Sequence, residues 1–188
     1  MSRPATGGYA HHVLFFGSDA ELVQAAVPFL QEGLAAGDAV VLACEARRNR
    51  VLADALGGDP RVGFLERSRT YLRAPVAVAT YRRMVERQLA AGARRVRLVG
   101  EVQFGQDPAA WSEWIRYEAV CNVALAPYPF WSVCAYDTGT LPEPILSLWF
   151  NPARPFAQVK LPADARWVRL RGHADASLPP GAARSVPG

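Results

Sequence analysis

Apolar and polar positions follow two rhythms that take turns along this chain. Short unbroken apolar runs stand at 11–16 (His11-His12-Val13-Leu14-Phe15-Phe16), 39–44, 61–65, 96–99 and 130–135. Between them apolar residues recur at three- and four-residue steps. Leu22, Ala26, Phe29, Leu30 and Leu34 make such a stripe over 20–36, and Val78, Tyr81, Met84, Val85 and Leu89 over 76–91. The first rhythm belongs to strands buried on both faces, the second to helices with one buried face. Two more helices are expected over 46–56 and 111–125. Ser18 or Asp19 suits the cap of the first helix, and Pro28 is expected to kink it. Gly37-Asp38, Gly57-Gly58-Asp59-Pro60 and Gly92 supply the stops. The stretch after Glu66 and residues 103–108 read as irregular, and further strands are expected near 156–161 and 166–170.

Strands alternating with helices imply crossover connections and a parallel sheet. The expected fold is therefore α/β, a three-layer sandwich with a mainly parallel central sheet. One domain over 11–172 is expected between a flexible start, 1–10, and a tail, 173–188.

Composition narrows the function. No apolar run approaches the ~18 residues that span a bilayer, and the polar start lacks the apolar core of a secretory signal. A cytoplasmic protein is expected. The net charge of +4 comes from arginine, with Lys160 the only lysine. The arginines are scattered rather than gathered in a stripe, which argues against direct nucleic-acid binding. The cysteines, Cys44, Cys121 and Cys134, sit in apolar segments without CxxC spacing and read as free buried thiols. His11, His12 and His173 also lack ligand spacing, so neither a structural zinc site nor any other metal is expected.

The candidate chemistry lies at the ends of the apolar runs. In open α/β sheets ligands bind outside the carboxyl ends of the strands. There this chain places Ser18 and Asp19, then Glu45, Glu66, Glu101, and finally Tyr136 and Asp137. Caps explain Asp19 and Glu45, and an Asx-turn suits Asp137 in Tyr-Asp-Thr-Gly. Glu101 follows a buried run and a glycine with no helix at hand, and is the strongest candidate. Glu118 and Asn122 are four apart and share a helix face, which is expected to point to the same sheet edge. Trp111, Trp131 and Tyr136 are candidate apolar walls. His11, at the start of its run, is expected at the end opposite the carboxylates, in a structural role. Gly17-Ser18-Asp19-Ala20-Glu21 offers neither GxxxxGK[ST] nor GxGxxG, so the usual phosphate cradle is missing and no nucleotide cofactor is expected. No GxSxG elbow exists.

Taken together, several of these segments resemble a known family. His11-x-x-Leu14-Phe15-Phe16-x-x-Asp19-Ala20-Glu21-Leu22, Pro28-Phe29-Leu30-x-x-Gly33-Leu34-x-x-Gly37-Asp38, Gly100-Glu101, Glu118-x-x-x-Asn122 and Phe130 to Thr138 are similar to the MEDS domain (methanogen/methylotroph, DcmR sensory domain) over about 11–150. The resemblance implies a RecA/KaiC-like fold without a Walker A loop and a sensory role for small, hydrocarbon-derived ligands. It also implies coupling to DNA-binding or histidine-kinase-type, anti-sigma modules. The chain departs from the family pattern at Phe16, Gly17-Ser18 and Asn151-Pro152.

The leading expectation is a stand-alone sensory module. A small molecule would contact Asp19, Glu101, Glu118, Asn122 and Asp137 between Trp111, Trp131 and Tyr136, and a separate regulatory protein would read the result. A homodimer is compatible with this. One alternative is an enzyme with Glu101 as acid or base. Another is a pure interaction module using the arginine-rich helix 81–95.

Overall fold

The structure is a computed structural model and describes residues 8–105, 107–145 and 167–169. Its elements are β1 (Ala10–Phe16), α1 (Asp19–Ala36), β2 (Ala39–Ala43), α2 (Ala46–Ala55), β3 (Val62–Phe64), α3 (Arg67–Thr70), α4 (Ala74–Ala90), β4 (Val96–Glu101), α5 (Pro108–Ala124), β5 (Phe130–Asp137) and β6 (Trp167–Arg169). The sheet order is β3-β2-β4-β5-β1-β6; β1 to β5 run parallel and β6 pairs antiparallel to β1. The α/β expectation holds, and the expected strand near 166–170 is β6. The one near 156–161, the tail, and most of the segment 1–10 lie outside the described residues.

Helices cover both faces. Leu22, Ala26, Leu30 and Leu34 of α1 and Leu52 of α2 pack with Leu14, Leu42, Val99 and Val133 on one face. Ala77, Tyr81, Met84 and Val85 of α4 and Trp114, Tyr117 and Cys121 of α5 pack with Val13, Leu98, Cys134 and Tyr136 on the other. Successive strand residues alternate between the two cores. This layering is the physical reason the strands read as unbroken apolar runs.

Local chemistry explains the element ends. Ser18 caps α1 by accepting from the Glu21 amide at 3.2 Å, while Glu21 Oε2 reaches back to the Gly17 amide at 2.9 Å. This reciprocal arrangement resembles a capping box. The helix continues through Pro28 and ends at Gly37, whose φ of 74° is left-handed. Gly33 in mid-helix is required by packing, because a Cβ there would lie 2.7 Å from Arg97 Cδ. The segment after Glu66, expected to be irregular, contains the short helix α3; its single turn is below the length at which periodicity is legible.

Among the described residues no helix is long and apolar enough to cross a membrane. The thiols of Cys44, Cys121 and Cys134 are free and buried, as expected.

Candidate functional site

The carboxyl edge of the sheet carries an ion-pair network centred on Arg48. Its Nε donates to Asp19 Oδ1 at 3.2 Å, one terminal nitrogen to Glu101 Oε1 at 2.6 Å, and the other to Asp137 Oδ2 at 2.5 Å. Arg67 adds a bond to Glu101 Oε1 at 3.1 Å, and Arg47 pairs with Asp19. The backbone amide of Glu45, at the end of β2, donates to Glu101 Oε2 at 2.9 Å. Phe16 lies under the Arg48 guanidinium, 4.8 Å from its carbon. Access differs within the network: the Glu101 side chain is 3% exposed, Arg48 12%, Asp137 13% and Asp19 25%.

Asp19, Glu101 and Asp137 thus converge, as their strand-end positions suggested. Arg48 was not anticipated. A signal for it exists, since Arg47 and Arg48 occupy the first turn of α2, where no acidic residue stands. Cations there oppose the helix dipole and call for anions nearby. Burial by itself lowers the pKa of Arg48. The bond to Asp137 and the charge of Glu101 outweigh it and raise the pKa above the ordinary arginine value. The hydrogen bond from Arg47 holds the Asp19 carboxyl below its usual value.

The position of Glu101 is topologically special. From β2 the chain moves outward to β3 through α2 on one face, and from β4 it moves the other way to β5 through α5 on the opposite face. The crevice between the ends of β2 and β4 is therefore a switch point, where α/β sheets bind ligands. The Glu45 amide and the Glu101 carboxylate meet across it.

The phosphate cradle is missing in three dimensions as well. Only Gly17 and Ser18 separate β1 from α1, and the Gly17 and Glu21 amides are taken by Glu21 and Ser18. Asp19 and Glu21 place negative charge where a phosphate would approach.

Other expected site residues lie elsewhere. Tyr136 and Asp137 are neighbours on β5 and so face opposite sides. Tyr136 is fully buried beneath α5 and donates to Glu118 Oε1. Glu118 and Asn122 belong to this buried cluster, not to the edge network. Their helix face meets the side chains of β1 and β5 rather than the strand-end loops. The cluster corrects the reading of His11 as remote from carboxylates: its Nε2 lies 2.7 Å from Glu118 Oε2 and 3.2 Å from Cys134 Sγ, and its Nδ1 lies 3.2 Å from Asn122 Oδ1. Trp131 corrects another expectation. It sits near the amino end of β5, stacked under Arg95 at 3.9 Å and Arg97 at 4.8 Å. Arg97 is itself buried and bonded to Asp38, Glu32 and the Phe29 carbonyl, each at 2.9 Å. This second arginine hub fastens α1 to the sheet far from the carboxyl edge. Trp111 lies at the start of α5, its indole donating to the Gly105 carbonyl at 3.3 Å.

The thiols are poor nucleophiles here. Burial, then the charge of Glu101, pushes Cys44 up to about 12, and burial with the charge of Glu118 raises Cys121 and Cys134.

The fold and its edge network define a class: a three-layer α/β domain with an ion-pair network at its switch point and no phosphate loop. The particular family follows from sequence comparison. The model of MEDS, the MEthanogen/methylotroph, DcmR Sensory domain, matches residues 10–149. The chain belongs to this family of sensory domains. Neither the curated proteins nor the solved structures contain a significant match to it.

Proposed function

We propose that this sensory domain binds a small polar molecule at the carboxyl edge of its sheet, beside Glu101 and Arg48, and passes its ligand state to a regulatory protein. A histidine-kinase-type or anti-sigma partner fits a sensory role. The observation that carries the reading is the Arg48 network itself. Charged groups from the ends of β4 and β5 and the starts of α1, α2 and α3 meet at the switch point with partial solvent access. A ligand that replaced one carboxylate–guanidinium bond would loosen α2 from β4, because Arg48, with the Glu45 amide, ties the two together. Population of the loosened arrangement follows the ligand's differential affinity for it.

The pairing of Glu101 favours binding over catalysis. Its two oxygens already accept from Arg48, Arg67 and the Glu45 amide. A general base needs a free lone pair directed at substrate.

The test is native mass spectrometry of the purified chain, followed by a thermal-shift screen of small alcohols, amines and organic acids. A hit is expected to lose at least about tenfold in affinity, or roughly 1.4 kcal/mol, in Glu101→Gln and in Arg48→Met. Folded variants that bind the hit as the parent does would refute the edge site.

A further inference from the structure

The buried cluster beneath α5 has the donors of a metal site. Donor atoms of His11, Glu118 and Cys134, one each from β1, α5 and β5, lie within 4.8 Å of one another, and all three residues are buried. They are far apart in sequence, which is why ligand spacing along the chain gave no hint of them.

The hydrogen bonds around them orient the donors inward. The Asn122 amide donates to the Glu118 carbonyl at 3.2 Å, so its Oδ1 faces His11 and accepts from Nδ1–H at 3.2 Å. That leaves the Nε2 lone pair aimed at Glu118 Oε2. Tyr136 donates to the other carboxylate oxygen, Oε1. Oε2 lies 2.7 Å from Nε2 yet has no hydrogen-bond partner. With Nδ1–H donated to Asn122, a neutral His11 turns its Nε2 lone pair toward Oε2, so this contact calls for a cation between them, a proton or a metal ion. Metal-bound histidines commonly donate their second ring nitrogen to such an outer acceptor, as His11 does to Asn122.

We propose that His11, Glu118 and Cys134 bind a divalent metal of the zinc class. Nitrogen, sulfur and oxygen donors together suit a borderline ion; calcium and magnesium require oxygen. Bonds of about 2.1 Å at tetrahedral angles put ligand atoms roughly 3.4 Å apart; the Nε2–Oε2 contact of 2.7 Å opens by under about 1 Å to admit the ion, and the Nε2–Sγ contact of 3.2 Å is already near that spacing. Binding removes the Cys134 proton to solvent. Thiolate, carboxylate and divalent ion then sum to zero charge beneath aromatic walls that include Tyr9, whose ring centre lies 5.3 Å from that of His11. The site is on the sheet face opposite the Arg48 network and does not depend on the edge reading.

Because the site is buried, metal must be offered during folding. The full chain, refolded with cobalt(II) as probe, is expected to retain one ion per chain by elemental analysis. It should show tetrahedral ligand-field bands and a thiolate-to-cobalt charge-transfer band. The Cys44→Ser/Cys121→Ser chain, with Cys134 its only thiol, keeps that band; Cys134→Ser loses it. Wild-type chain that folds and excludes both cobalt and zinc overturns the proposal, and the contact is then an imidazolium–carboxylate pair. Bound cobalt without a sulfur band overturns it equally.

Discussion

Two polar clusters lie on opposite faces of one sheet and solve the cost of charge in different ways. The edge network spreads three carboxylates over one guanidinium, supported by Arg47 and Arg67, and stays partly open to water. The cluster beneath α5 encloses His11, Glu118 and Cys134 among buried aromatics, relieved by hydrogen bonds and the close His11–Glu118 contact. Solvent near the first allows its pairs to be exchanged at modest cost. Low polarity around the second makes every unpaired atom expensive. This contrast underlies the proposal of reversible binding at the edge and of a permanent ion in the interior.

Substitutions that act on one face at a time test this contrast. The largest effect is expected from Glu118→Ala, which removes the acceptor of the buried Tyr136 hydroxyl and the charged neighbour of the buried His11 ring. Loss of one partner of a buried pair costs roughly 3–5 kcal/mol, measurable by urea unfolding. A cost within the range of ordinary surface substitutions would show that the cluster is solvated.

Arg48→Met comes next, at roughly 2–3 kcal/mol, below the fully buried case because water reaches part of the network. High salt should narrow the gap between variant and parent. Arg48→Lys should recover only part of the loss, since an ammonium cannot match the planar fork that meets three carboxylates. Full rescue by lysine would mean that charge alone matters there.

Gly100→Ala separates the faces one residue away from Glu101. A Cβ at Gly100 would overlap the hydroxyls of Tyr71 and Tyr81. Displacing the buried Tyr81 ring and the half-buried Tyr71 ring is expected to cost about 1–2 kcal/mol and to alter the near-ultraviolet circular dichroism. Ligand binding at the edge should survive it. A binding loss as large as that of Glu101→Gln would join the two faces into one site.

The smallest effect is an acid one. The carboxyl of Asp19 is held below its usual value, first by its hydrogen bond from Arg47. Its contribution is whole above roughly pH 4, the ordinary aspartate value, and is lost as pH falls through the lowered folded value. Asp19→Asn should flatten the fall of the thermal midpoint below that pH. Parallel curves for variant and parent would remove Asp19 from the acid response.

The elements were largely legible because the two periodicities are properties of the backbone. A strand covered on both faces reads as an apolar run, and a half-buried helix reads as a stripe. Convergence of Asp19, Glu101 and Asp137 was legible too, because parallel strands deliver all their carboxyl ends to one edge. Assigning Tyr136 and Glu118 to that edge failed for a specific reason. Adjacent strand residues point oppositely, and an unbroken apolar run hides which residue takes which face. Trp131 failed for another: it lies at the start of β5, about six residues' rise, or roughly 20 Å, from Asp137 at its end.

By itself the sequence determined the layered α/β architecture, the absence of a phosphate cradle, and membership of a sensory family. It did so through local rules of periodicity, capping and motif spacing. Only the tertiary structure decided the partners of charge. Arg48 reaches 89 positions along the chain to Asp137, and His11 lies 107 positions from Glu118. Such pairs are chosen by sheet order and side-chain direction, neither of which is written in any short stretch of residues.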